Sequence, residues 1–183
     1  FARDNGCNTL MLTGDCEPQQ NQGFLIKFSE FNQALEHPFR NIEMQTTGVG
    51  LDEGYLRFLR NTVGVSTLSI SISDLFDEAN NRAIIGTKSA LEVEALCREI
   101  RRYDFNLRLS LNLSDSFSGH TVEEIFDRCQ ALSADQVTFR VLYSAHTDSA
   151  QDQWIDAHRL DEGFVSAIEN YIQSHGQAFH RLE

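Results

Sequence analysis

Five short stretches of the chain alternate apolar and polar residues, and each is followed by a segment with the spacing of an amphipathic helix. The clearest alternation places Leu68, Ile70 and Ile72 on one face and Ser69 and Ser71 on the other. A period of two is typical of a β-strand, because successive side chains of a strand point to opposite faces. The pattern therefore predicts strands with one apolar and one polar face.

The other four stretches lie near Leu10, Ile42, Leu107 and Val137. Their polar faces carry Thr9 and Thr13, then Glu43 and Gln45, then Arg108, Ser110 and Asn112, and finally Thr138 and Arg140. The segments between them are long enough to cross over as helices, which favours parallel strands over hairpins. We predict an α/β fold, namely a partial parallel βα barrel of the TIM type with about five βα units and a polar lumen.

Several predicted helices have a recognisable start. Ser89 with Glu92 and Thr121 with Glu124 form capping-box patterns, each placed before an apolar stripe. A further stripe follows the first strand and consists of Phe24, Phe28, Phe31 and Leu35.

A chain of 183 residues with 41% hydrophobic content can form one domain with a substantial core. We expect residues 1–145 to form the partial barrel, and residues 146–183 to form a C-terminal loop and helix packed on the same domain. The last helix is predicted from about Asp161 to Gly176, and residues 146–159 are interpreted as a loop or short helix.

Charge and hydropathy restrict the partners. The 15 Lys and Arg residues against 27 Asp and Glu give a net charge of −12, which makes a nucleic acid an unfavourable partner. There is no run of about 18 apolar residues and no signal peptide, so no membrane partner is expected and a cytoplasmic location is the default expectation.

The residues after the predicted strands resemble a known family. The segment NTLMLTGDCEP at positions 8–18 resembles the second strand and T-G-x-G-E-P loop of radical S-adenosylmethionine (radical SAM) enzymes, with Cys16 where a glycine is usual. Residues 42–48 are similar to the third strand of that family and residues 68–73 to its fourth, and the resemblance extends to about Tyr143.

The resemblance implies that S-adenosylmethionine is the cofactor and indicates residues that bind it. Thr13, Gly14 and Glu17 would contact the methionine amino group, with Gly14 allowing close backbone approach and Glu17 providing negative charge. Ser71 and Ser73 would face the ribose or the carboxylate.

Three further polar residues are assigned to the same lumen. Asn112 is expected near the ribose or adenine, and Arg108 or Arg140 near the carboxylate or an anionic substrate. The two arginines could equally neutralise Glu43 in a structural ion pair.

The family's C-x3-C-x2-C loop, which holds a [4Fe-4S] cluster, does not occur in this sequence, whose cysteines are Cys7, Cys16, Cys97 and Cys129. Cys97 and Cys129 fall on apolar helical stripes and are expected to be core residues. We interpret the chain as a fragment whose cluster loop lies upstream of Phe1. The cluster is accordingly expected in the full-length protein and not in this chain, and no residue here is assigned to a metal.

The resemblance implies an oxidoreductase of the radical SAM superfamily. Such an enzyme would use the cluster to cleave S-adenosylmethionine to a 5′-deoxyadenosyl radical, which abstracts hydrogen from an unidentified substrate. A small molecule or a peptide is the expected substrate, and an external electron donor is required.

Two other functions are compatible with the residues alone. One is a cluster-free βα-barrel enzyme of the aldolase or isomerase type, with Glu43 or Glu17 as general base. The other is a non-catalytic barrel that serves as a binding or scaffold module.

The cysteine spacing gives a first prediction. After anaerobic reconstitution of this chain with iron and sulfide, iron analysis should find far less than one cluster per chain, because three suitably spaced thiolates are missing. A stable content of about four irons per chain would contradict it.

Overall fold

A computed structural model of the chain describes residues 2–14, 16–87 and 92–176. In these ranges five parallel strands form one sheet in the order β1-β2-β3-β4-β5, and the sheet curls into a half-barrel that alternates with helices. The strands are β1 Thr9–Leu12, β2 Asn41–Thr46, β3 Thr67–Ile72, β4 Asn106–Leu113 and β5 Gln136–Val141. The predicted partial parallel βα barrel is thereby confirmed.

Seven α-helices lie in the same ranges, and two of the connections add a 3₁₀ turn, at Pro18–Gln20 and Asp115–Phe117. The helices are α1 Gln22–Gln33, α2 Glu53–Phe58, α3 Glu78–Ile85, α4 Val93–Arg102, α5 Val122–Ala131, α6 Ala150–Ala157 and α7 Glu162–His175, and α2 continues into a π-helical segment at Leu59–Val63. In the described part of the chain no helix is both long and apolar enough to cross a membrane.

The strand alternation places the core on the convex side of the sheet. Leu68, Ile70 and Ile72 of β3 are completely buried, and the leucines of β4 are buried in the same layer. They join helix residues such as Leu56 and Ile100 in one hydrophobic cluster. The concave face is left to the polar side chains that the alternation assigned to a lumen.

The start signals correspond to observed helix ends. Thr121 and Glu124 form a reciprocal capping box at the start of α5, and Asp161 caps α7. The region interpreted as a loop or short helix contains α6. Helix α4 begins at Val93, whereas the capping role predicted for Ser89 falls outside the described residues.

The apolar stripe predicted for α1 was wrong as a guide to the buried face. Phe24 and Phe31 are 53% and 72% exposed, whereas Leu25, Ser29 and Asn32 are buried. The two polar side chains are tolerated there because both hydrogen-bond to backbone atoms, Ser29 to the Thr62 carbonyl in the π-helical segment and Asn32 to Phe39 in the loop before β2. Backbone groups that need partners, and not hydrophobicity alone, decide how this helix is rotated.

The C-terminal segment contacts the barrel helices and the end of β4. The rings of Phe126 in α5 and Tyr171 in α7 stack with centroids 4.7 Å apart. Ser114, just after β4, forms an antiparallel bridge with Arg159, and the Asp115 amide donates to the His158 carbonyl at 2.9 Å. These contacts attach α6 and α7 to the sheet.

An ion pair lies on the concave face and joins β2 to β4 across β3. Glu43 is only 6% exposed, and Arg108 Nη1 donates to both of its carboxylate oxygens at 2.6 Å. Arg108 Nε and Nη2 donate to Gln136 Oε1 of β5 at 2.8 and 2.5 Å. Of the two alternatives for Arg108, the structure contains the ion pair.

Removing one partner of this pair should be costly, because the other charge would stay buried without compensation. We expect Arg108→Met to lower the free energy of unfolding by about 3 kcal/mol, measured by urea denaturation. The matched control is Arg98→Met, which breaks an exposed Arg98–Glu94 pair and should cost about 0.5 kcal/mol or less. Equal losses in the two variants would contradict the structural role of Arg108.

Candidate functional site

A polar cleft of about 430 Å³ opens where the parallel strands end, between the loops after β1 and β2 and the concave face of the sheet. The C-terminal edge of a parallel βα sheet is the usual place for a ligand, since its loops converge there. Five of the eight predicted site residues line this cleft: Thr13, Gly14, Glu17, Ser71 and Arg140.

The remaining three predicted residues lie elsewhere. Ser73 and Asn112 line a second cleft, and the amide of Asn112 donates weakly to Ser73 Oγ at 3.3 Å. Arg108 is engaged in the ion pair with Glu43. The structure therefore divides a set that the sequence had placed in one lumen.

The Glu17 carboxylate connects the loop after β1 to the loop after β2. It accepts hydrogen bonds from Thr46 Oγ1 at 2.5 Å, Thr47 Oγ1 at 2.6 Å, the Thr47 amide at 3.0 Å and Gln19 Nε2 at 2.7 Å. Burial raises the pKa of Glu17, but the bonds from Thr46, Thr47 and Gln19 outweigh it and hold this pKa below its ordinary value. The carboxylate is ionised at neutral pH and its lone pairs are directed into the protein.

Gln19 and Thr46 form the support of this carboxylate, and sequence analysis missed both roles. Gln19 is buried, and its amide also donates to Thr46 Oγ1 at 2.7 Å and to the Val49 carbonyl at 3.0 Å. The Tyr55 hydroxyl donates to the Gln19 carbonyl at 2.5 Å. The sequence signal that could have shown these roles was the pair of threonines, Thr46 and Thr47, at the end of β2. The neighbouring strand β1 leads into the loop that carries Glu17.

Arg140 reaches from β5 across the concave face to β2. Its Nη2 donates to Gln45 Oε1 at 3.1 Å, and the Thr13 hydroxyl donates to the same oxygen at 3.2 Å. No carboxylate forms an ion pair with Arg140 among residues 2–14, 16–87 and 92–176. A guanidinium has five N–H donors, so Arg140 retains the capacity to bind a carboxylate of a ligand in the cleft.

Hydroxyl groups on the concave face also have unused capacity. Ser69 and Ser110 are each 1% exposed, and neither hydroxyl has a hydrogen-bond partner within the described ranges. Ser71 lies on the same face of β3 as Ser69 and is paired in register with Ser110. The floor of the half-barrel is thus polar, as the alternation predicted.

The cysteines do not form a cluster site. Cys7 and Cys16 are exposed, whereas Cys97 and Cys129 are buried, as expected for core residues, and burial raises the pKa of each of these two thiols to about 12. Across the described residues, no group of three or more His, Cys, Asp or Glu side chains could hold a metal ion. These residues do not fit a [4Fe-4S] cluster, which needs cysteine thiolates.

The polar cleft does fit S-adenosylmethionine. It combines the guanidinium of Arg140, which has no carboxylate partner in the described ranges, with hydroxyl, amide and backbone groups, as an amino acid joined to a ribose requires. A Cβ added at Gly14 would meet no atom closer than the Cys16 carbonyl oxygen at 3.8 Å. Packing within the protein therefore does not require glycine at this position, and its missing side chain keeps the mouth of the cleft open.

No protein-family model and no curated protein sequence matches the chain. Solved structures do match it in fold. The structure of anSMEcpe with bound AdoMet matches with a TM-score of 0.62 and 14% identity over 95% of this chain and 50% of that one. Coproporphyrinogen III oxidase (HemN) from Escherichia coli, a radical SAM enzyme, matches with a TM-score of 0.62 and 18% identity over 91% of this chain and 39% of that one.

The chain thus spans about half, or less, of the length of these solved structures. Its half-barrel has the fold found in radical SAM enzymes, and the resemblance drawn from its loops is confirmed at that level. At such low identity the comparison shows the fold alone.

The hydrogen bonds around Glu17 give a prediction about stability and pH. Glu17→Gln would turn an amide donor toward groups that themselves donate, so we expect a loss of about 1–2 kcal/mol in the free energy of unfolding at pH 7. Because folding lowers the pKa of Glu17, its stabilisation is complete above the ordinary value of 4.5 and is lost as pH falls through the lowered value.

Urea denaturation of both proteins between pH 3 and pH 7 tests this, and the difference between them should shrink in acid. The control is Glu36→Gln, at a carboxylate whose side chain is 92% exposed, for which the loss should stay below about 0.5 kcal/mol. A Glu17→Gln difference that does not depend on pH would contradict the assignment.

Proposed function

We propose that this chain forms the S-adenosylmethionine-binding part of a radical SAM enzyme of the cytoplasm, whose [4Fe-4S] cluster is held by residues outside the chain. The observation that carries the proposal is the polar cleft, in which Arg140 has no carboxylate partner within the described ranges. Support comes from the fold, because solved structures with the same half-barrel contain AdoMet.

Each part of the cofactor has a complementary group. Arg140 is assigned to the methionine carboxylate, because its guanidinium can form a bidentate pair. The exposed backbone at Gly14 and the Thr13 hydroxyl are assigned to the amino group, and Ser71 to the ribose. Glu17 is assigned an indirect role: its carboxylate fixes the two loops and adds negative potential near the amino group.

When bound, the cofactor would supply a radical for hydrogen abstraction, formed by reductive cleavage with one electron from the cluster outside this chain. The residues of this chain would bind and orient the cofactor. The substrate is a small molecule or a peptide, and an external donor supplies the electron. A peptide substrate is supported by the structures of anSMEcpe, which contain AdoMet together with a Cp18Cys or Kp18Cys peptide.

The cluster-free enzyme is disfavoured by both of its candidate bases. Glu43 is buried and bound by Arg108, so its lone pairs are occupied. Glu17 accepts several hydrogen bonds and has a lowered pKa, which makes it a weak proton acceptor. A scaffold without a ligand would use only the hydrogen bond from Arg140 Nη2 to Gln45 among the guanidinium donors in the described ranges. A binding measurement separates that alternative.

Calorimetric titration of S-adenosylmethionine tests the proposal. We expect saturable binding to the wild-type chain, and an affinity at least about tenfold lower for Arg140→Gln, since a charge-assisted bidentate contact is lost. Arg140→Lys should fall between them, because it keeps the charge without the fork. Arg98→Gln, at an exposed helix position, should bind as the wild type does.

The exposed thiol of Cys16 provides an independent readout, because it lines the polar cleft. S-adenosylmethionine should slow alkylation of Cys16 by iodoacetamide, whereas the exposed Cys7, which is not among the lining residues, serves as the internal control. Unchanged affinity in Arg140→Gln would remove that residue from the site, and absence of saturable binding by the wild type would favour the scaffold.

A further inference from the structure

A second cleft of about 440 Å³ lies beside the polar cleft, at the ends of β3, β4 and β5 and under α3 and α6. Ser73 and Asn112 form its floor, Ala83 of α3 forms one side, and Trp154 and Ile155 of α6 form the other. Each residue that lines it in the described ranges is uncharged, whereas the polar cleft is lined by Glu17 and Arg140.

The α6 side of this second cleft is fixed to the sheet. The indole of Trp154 stacks on the His158 ring with centroids 4.5 Å apart. His158 Nδ1 lies 3.1 Å from the Asp115 carboxylate, and the Asp115 amide donates to the His158 carbonyl at 2.9 Å. Asp115 belongs to the 3₁₀ turn that follows β4, so the indole is held over the end of the strand. The second cleft is therefore preformed.

Its polar groups can both donate and accept. The Asn112 carbonyl oxygen, the Gln151 amide and the Trp154 indole N–H have no hydrogen-bond partner in the part of the chain that the structure describes. The remaining surface, which includes Ile155, is apolar. A charged group would lose its hydration here without gaining a counter-charge, whereas a flat neutral group could stack on the indole and bond to the rim.

We propose that the second cleft binds a neutral, planar, hydrogen-bonding group of the substrate, of the aromatic amide class. The assignment of this group to a substrate rests on the proposed function. Ser71 lines the polar cleft and Ser73 the second cleft, and the two lie two residues apart along one strand end. A group held in the second cleft is thus adjacent to the assigned cofactor site.

Trp154 makes the proposal measurable, because it is the single tryptophan of the chain. Benzamide, benzoate and benzamidine share one ring and differ in charge, so their titrations against tryptophan fluorescence isolate the effect of charge. We expect saturable quenching by benzamide with half-saturation on the order of 1 mM, and binding at least about tenfold weaker for the two ions. Equal responses to all three, or no saturation by benzamide, would overturn the proposal.

Two leucine substitutions in α3, one inside the second cleft and one outside it, test where benzamide binds. Ala83→Leu should weaken benzamide binding about tenfold, because the added side chain enters the cleft from α3. Ala79→Leu adds the same atoms at an exposed position of α3 that is not among the lining residues, and should bind benzamide as the wild type does. Both positions are exposed, so circular dichroism should show an unchanged fold. Equal binding by the two variants would place benzamide elsewhere.

A competition experiment shows whether the flat neutral group in the second cleft comes from the substrate or is the adenine of the cofactor. If S-adenosylmethionine displaces benzamide, the second cleft takes the adenine of the cofactor and the proposal falls. If benzamide and S-adenosylmethionine bind together, the proposal stands. Benzamide binding with the expected charge preference and no binding of S-adenosylmethionine would reject the proposed function and retain the neutral cleft.

Discussion

The structure depends on one constraint, which is that the charged side chains on the concave face of the sheet need hydrogen-bond partners although helices cover only the convex face. The face meets this constraint in two layers. In the lower layer Glu43, Arg108 and Gln136 satisfy one another. In the upper layer Arg140 and Thr13 share a single amide oxygen of Gln45. The lower layer stabilises the half-barrel, and the upper layer leaves hydrogen-bonding capacity for a ligand.

The need for hydrogen-bond partners also explains why Glu17 supports the site although its oxygens are not free to bind a ligand. A free carboxylate at the mouth of the cleft would attract a cation but leave the loop mobile. With its oxygens bound to Thr46, Thr47 and Gln19, the carboxylate fixes the loops after β1 and β2 in one arrangement. Preorganisation of this kind lowers the entropic cost of ligand binding, since the loops are ordered beforehand.

The strands and the polar lumen could be predicted because alternation is local: each residue of β3 reports its face through its neighbours. The role of each arginine could not, since Arg108 and Arg140 both lie on polar faces of adjacent strands and are separated only by their layer and their long-range partners, Arg108 being level with Gln136 and Arg140 with Asn112. The division into two clefts depends on where α6 packs, which no local pattern encodes. The apolar stripe predicted the wrong buried face for α1, because Ser29 and Asn32 are buried through their hydrogen bonds to the backbone.

Under the proposed function, the two clefts differ in the way that a reaction between a cofactor and a substrate requires. An amino acid cofactor carries opposite charges and needs charged partners, so it suits the cleft of Arg140 and Glu17. A substrate from which a hydrogen atom is removed must be held precisely but does not need a charged partner. A preformed neutral wall such as Trp154 can hold it by shape complementarity. Because Ser71 of β3 lines one cleft and Ser73, directly after β3, lines the other, the end of this strand sets the distance between the two bound groups. A rigid sheet, and not a flexible loop, would then control their approach.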